Sequence, residues 1–112
     1  MEQVLRKKDI ILVPFPFTNQ LEIKRRPALV ISNDTFNDRS NDIIACAITS
    51  NVDSDYSIYI KPDDWKDGLY SVSCIKFANI FTIEKKIVLK KIGRLSSERF
   101  NEVSTRFNEI VK

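Results

Sequence analysis

The chain carries its apolar residues in short, continuous, β-branched runs, and this limits the available folds more than any other feature. Residues 9–17 read Asp-Ile-Ile-Leu-Val-Pro-Phe-Pro-Phe, residues 28–32 Ala-Leu-Val-Ile-Ser, and residues 42–49 Asp-Ile-Ile-Ala-Cys-Ala-Ile-Thr. Runs of this length bounded by turn residues read as strands, the third of them buried on both faces. Residues 56–60, Tyr-Ser-Ile-Tyr-Ile, alternate as a half-solvated strand does. Residues 72–83 should hold one or two short strands, at 73–76 and 79–82, and a last strand is expected at 87–95 with Lys90 and Lys91 as edge charges. Only the C-terminal end has helical spacing. There Ser96 is the N-cap, Glu98 complements the dipole, and Phe100, Val103, Phe107, Ile110 and Val111 form a stripe that should dock on the sheet. The expected fold is therefore mainly β: a small, strongly bent sheet or barrel with a C-terminal helix packed on it.

Proline punctuates these runs. Pro14 and Pro16 cannot donate to a ladder, so pairing should weaken near Val13, with Phe15 and Phe17 packing on the core. Pro27 suits the first residue of a strand, and the residue before a proline is pushed towards extended backbone, which puts Arg26 at the rim. Residues 18–25 form a polar loop, a natural lid over a site. Asn33-Asp34 and Asn37-Asp38 are turn chemistry, and residues 62–68 a second turn in which Trp65 closes one end of the core. Residues 1–8 read as a loose lead-in.

A length of 112 residues gives one domain, 1–112, with room for a single core. The net charge of +3 is mild but clustered, at Lys7-Lys8, Lys24-Arg25-Arg26, Lys85-Lys86 and Lys90-Lys91. Clusters of this kind suit a polyanion partner or simply solubilise loops and edges, and charge alone does not choose. The absence of histidine removes the Ser-His-Asp triad and the commonest metal ligand. Cys46 and Cys74 each lie inside an apolar run and read as small buried hydrophobes; two such cysteines do not build a zinc site. Two glycines are too few for a phosphate-cradling loop. Any catalysis must then use Arg, Lys, Thr, Ser, Tyr or carboxylates, with no metal and no cofactor expected. With no leader and no apolar run near ~20 residues, the expectation is a cytoplasmic protein without a membrane partner.

Two places could carry chemistry. Lys24-Arg25-Arg26 runs directly into a strand, and Arg26 there would be a permanently charged fork matched to phosphate; the alternative is solvated loop charge. At Thr49-Ser50 a continuous apolar run stops at two hydroxyls, which either form a turn or face the same rim as Arg26.

The order of these blocks resembles the PemK/MazF family of toxins. The resemblance is carried by Asp9-Ile10-Ile11-Leu12-Val13-Pro14-Phe15-Pro16-Phe17-Thr18, Arg25-Arg26-Pro27-Ala28-Leu29-Val30-Ile31-Ser32 and Ala47-Ile48-Thr49-Ser50, then Ser73-Cys74-Ile75-Lys76 and Ile80-Phe81-Thr82-Ile83. It spans residues 7–111, and the Arg-Pro-Ala-Leu-Val-Ile-Ser block is its most specific piece. Lys8 stands where the family usually has glycine before Asp9. The resemblance implies an SH3-like β-barrel, a homodimer, a cognate antitoxin and cleavage of single-stranded RNA. It assigns the essential arginine to Arg26 and the essential threonine to Thr49.

RNA brings its own nucleophile, the 2′-hydroxyl, and charge develops on the non-bridging oxygens, where a pre-positioned guanidinium is the most useful single group. Arg26 fits that role, and Thr49 is assigned to positioning because its hydroxyl is a poor base. Lys24, Arg25, Ser50 and Lys76 are the RNA-binding candidates, the cations through backbone phosphates that supply affinity without sequence. Two other readings stand beside this one: a CcdB-like toxin that binds gyrase through the end of its last helix, and a catalytically silent SH3-like module that docks a polyanion.

Overall fold

The computed structural model describes residues 3–16, 23–50, 55–61, 64–66 and 73–112. Strands β1 (Asp9–Pro16), β2 (Ile23–Val30), β3 (Asp42–Thr49), β4 (Ile58–Ile60), β5 (Trp65–Lys66), β6 (Ser73–Glu84) and β7 (Lys90–Leu95) form one sheet in the order β4-β6-β3-β2-β1-β7-β5, with every pairing antiparallel. Helix α1 (Asp34–Arg39) links β2 to β3, and α2 (Ser97–Ile110) closes the chain. The architecture is the mainly β, barrel-like fold with a C-terminal helix that the sequence leads one to expect.

The sheet is buried on both faces, which explains the unbroken apolar runs. One face holds Ile10, Leu29, Cys46, Ile48, Ile58, Ile60 and Ile75, on which Phe100 and Val103 of α2 pack. The other holds Ile11, Val13, Ala28, Val30, Ile43 and Ala45, with Leu5 and Val88. On this second face Phe15 of β1 meets Phe81 of β6 edge-on, ring centroids 5.1 Å apart. Those strands are three places apart, ~14 Å in a flat sheet, so the sheet curls around its second face.

Several local expectations need correction. Pairing of β1 with β2 does not weaken at Val13; it runs through Pro16↔Ile23. Of the one or two strands expected over 72–83, the structure has one, β6. The register jumps from Ala47↔Lys76 to Cys46↔Ile80, leaving residues 77–79 as an irregularity that bends β6. The Asn33-Asp34 turn starts a helix, because the Asn33 side chain accepts from the Phe36 N–H at 2.8 Å and caps α1. Within it, buried Asn37 donates from Nδ2 to the Ser32 carbonyl at 3.0 Å, and its own carbonyl accepts from Lys85 Nζ at 2.7 Å.

The lead-in is not loose where it is described. Leu5 is in the core and the Arg6 N–H donates to Asp9 at 2.7 Å. Buried Asp9 also pairs with Lys91 and Arg94 of β7, at 3.3 and 3.1 Å. The α2 stripe docks only as far as Phe107, leaving Ile110 and Val111 exposed. Cys46 and Cys74 are free and buried. The two-residue strand β5 falls inside the expected turn at 62–68 and pairs with β7; Phe17 and the side chain of Trp65 lie outside the described residues.

Candidate functional site

Pro27 is not the first residue of β2; it lies in the body of the strand, with β1 on one side and β3 on the other. Alternate residues of a strand turn their backbone groups to alternate neighbours. The Ile31 N–H donates to the Ile44 carbonyl at 2.9 Å, and the Val30 carbonyl accepts from the Lys8 N–H at 3.0 Å. Odd-numbered residues here therefore address β3, and Pro27 is one of them. Having no N–H, it cannot extend the ladder, and the β2–β3 pairs stop one residue earlier, at Ala28↔Ala47. Arg26 and Thr49 stand just past the last pair. The same register carried two residues further sets them opposite each other.

The faces follow from the pairing. Arg26 lies opposite Val13, a member of the second core face, and Thr49 lies on β3 two residues beyond Ala47, the partner of Ala28. Lys76 is opposite Ala47. Arg26, Thr49 and Lys76 thus share the face around which the sheet curls, and all three are half-buried. Ala28, Ala47 and Cys74 lie among them, so on this face two cations and a hydroxyl are set around small side chains. Lys24, exposed, is on the same face of β2, opposite Phe15. Arg25 is on the other face: strand alternation separates it from its two basic neighbours, although the sequence reads as one triplet. Ser50 is exposed, immediately beyond β3.

The geometry suits an anionic, chain-like ligand. Neighbouring positions across the strands are ~5 Å apart and same-face positions along a strand ~7 Å, the scale of one phosphate contacted by several side chains. Burial pushes the Cys46 thiol up to about 12, so it is no nucleophile near neutral pH. Sequence reasoning passed over Tyr59, whose ring is also on this face. The alternation of Ile58-Tyr59-Ile60 showed that it points away from the isoleucines without showing which face held the site.

Residues 6–111 match the family model for the PemK-like, MazF-like toxin of type II toxin–antitoxin systems. The chain belongs to that family. The fold agrees. A chain of the MazE–MazF crystal structure from Deinococcus radiodurans superposes with a TM-score of 0.81 at 17% identity, covering 98% of this chain and 97% of that one. A mycobacterial endoribonuclease in complex with its cognate antitoxin gives 0.74 at 17%, covering 97% and 94%. The Mycobacterium tuberculosis toxin MazF-mt6 gives 0.72 at 17%, covering 90% and 93%. At this identity the match is one of fold. Lys8, just before β1, has φ 81°, the only non-glycine with positive φ among the described residues. No helix among them is long and apolar enough to cross a membrane.

Proposed function

We propose that this MazF-like toxin is an endoribonuclease that cleaves single-stranded RNA at short preferred sequences without a metal. The observation that carries the reading is the end of the β2–β3 ladder at Pro27, with Arg26 and Thr49 just past it and Lys76 on the same face. In the proposed reaction the 2′-oxygen attacks the adjacent phosphorus as its proton leaves. Arg26 stabilises the charge gathering on the non-bridging oxygens, and Thr49 fixes the phosphate or the 2′-hydroxyl. The bond to the 5′-oxygen breaks, that oxygen takes a proton, and the products end in a 2′,3′-cyclic phosphate and a 5′-hydroxyl. Lys24 and Lys76 hold flanking phosphates. Arg25, on the opposite face, would reach RNA only as it passes round the strand edge.

The chain acts as a homodimer whose groove a cognate antitoxin blocks. Exposed Val4, Ile87 and Leu89 supply apolar surface for association. Purified protein should cut single-stranded RNA into discrete fragments in excess chelator, and Arg26→Ala should not. Absence of cleavage by active-folded wild type would end the reading. The exposed helix end at Ile110 and Val111 keeps a gyrase-binding toxin as the second reading, which a DNA supercoiling assay tests directly.

A further inference from the structure

Tyr59 has no part in the chemistry above, yet it stands in line with it. Tyr59 of β4 pairs with Cys74 of β6, and Cys74 pairs with Thr49 of β3, so the three side chains form one row on one face of the sheet. The middle member is small and fully buried, and Tyr59 is two strand spacings from Thr49, ~10 Å. Tyr59 is 53% exposed, while its strand neighbours Ile58 and Ile60 are locked into the core on the other face. A strand fixed in this way presents an aromatic residue at one site, in line with Thr49 and on the same face as Arg26 and Lys76. Tyr56 offers a contrast three residues earlier. It is equally exposed, at 55%, but its ring lies edge-on to Phe77, which belongs to the opposite face.

We propose that Tyr59 is a stacking platform for an RNA base next to the scissile phosphate, and so a determinant of which nucleotides are held there. This rests on the endoribonuclease reading. A base presents an apolar π-face to a tyrosine ring, and stacking tolerates several bases while favouring purines and flat approach. The hydroxyl is not required.

The test uses full-length protein and a short single-stranded RNA containing its cleavage site, with a 2′-deoxy nucleotide at the scissile position for binding measurements. Tyr59→Leu should weaken binding on the order of 10- to 100-fold, whereas Tyr59→Phe and Tyr59→Trp stay near wild type and Tyr56→Leu is unchanged. Replacing the bases beside the scissile phosphate one at a time by abasic sites should weaken wild-type binding at one position, and at that position Tyr59→Leu should cost nothing more. Wild-type affinity in Tyr59→Leu, an equal loss in Tyr59→Phe, or no abasic position affecting wild type would each overturn the proposal. The abasic series needs only wild-type protein, so it can overturn the proposal even if a Tyr59 variant misfolds. Failure of wild type to cleave any RNA would instead count against the endoribonuclease reading.

Discussion

Prolines occur in both central strands β1 and β2, with opposite consequences. Pro27 turns its missing donor towards β3, a strand that would otherwise continue to pair, and the ladder ends there. Pro14 and Pro16 turn theirs towards β7. On that side the Leu12 carbonyl accepts from the Leu89 N–H, and β1–β7 pairing has already ended at Leu12↔Lys90. Among the described residues they face no ladder partner, so β1 continues beside β2 to its end. The same residue is silent where no partner is present and shapes a site where one is. It divides β2 into a closed half, Ala28 to Val30, fully buried, in which Ala28 and Leu29 pair on both sides, and a parted half carrying Arg26 and Lys24. The closed half should carry stability and the parted half chemistry.

The strongest way to break this division is at the parted half. Arg26→Ala should lower RNA cleavage by ~10²–10³-fold with little change in melting temperature, whereas Arg25→Ala, on the other face of the same strand, should cost far less. An equal loss from both would mean that strand alternation does not select the active cation. Next in size is the proline itself. Pro27→Ala restores an N–H facing Ile48, so β2 and β3 can pair one step further and draw Arg26 out of place. A displacement near 1 Å can cost ~10²-fold in rate. Pro14→Ala, measured in the same cleavage assay, should leave the rate unchanged.

The closed half should respond in stability alone. Lys8 feeds its N–H to Val30 at φ 81°, a conformation that is unfavourable for any residue with a Cβ. Lys8→Gly should raise unfolding free energy by ~1 kcal/mol in urea titrations without altering cleavage. The smallest effect at neutral pH is at Cys46, paired with Leu29 and raised to about 12 from 9.0 by burial. The folded thiol keeps its proton where the unfolded one has lost it. That contribution to stability is complete below pH ~9 and should fall steadily as pH rises towards 12. Cys46→Ala should flatten this fall, at some cost from the space it leaves.

Much of this was legible because burial writes itself into composition. The bounds of β3 match the run Asp-Ile-Ile-Ala-Cys-Ala-Ile-Thr because a strand buried on both faces admits nothing else, and Ser96 marks the start of α2 because its side chain accepts from the Arg99 N–H at 3.3 Å. Whether β6 is one strand or two stays open in the sequence because residues 77–79 interrupt its register, and a bulge looks like a break until the partner strand is known. Tyr59 was legible as an outward-facing residue and no further.

By itself, then, the sequence determined the main strand runs, where the C-terminal helix starts, and that any reaction must run on arginine, lysine, hydroxyl groups or carboxylates. Tertiary structure alone decided which of three adjacent cations share a face with Thr49, and that Pro27 has a strand beside it to part from. The physical reason is that backbone hydrogen bonds and side-chain faces are relations between strands. Proline fixes a local φ and deletes one donor wherever it falls, but the effect depends on the neighbour that the missing donor would have met.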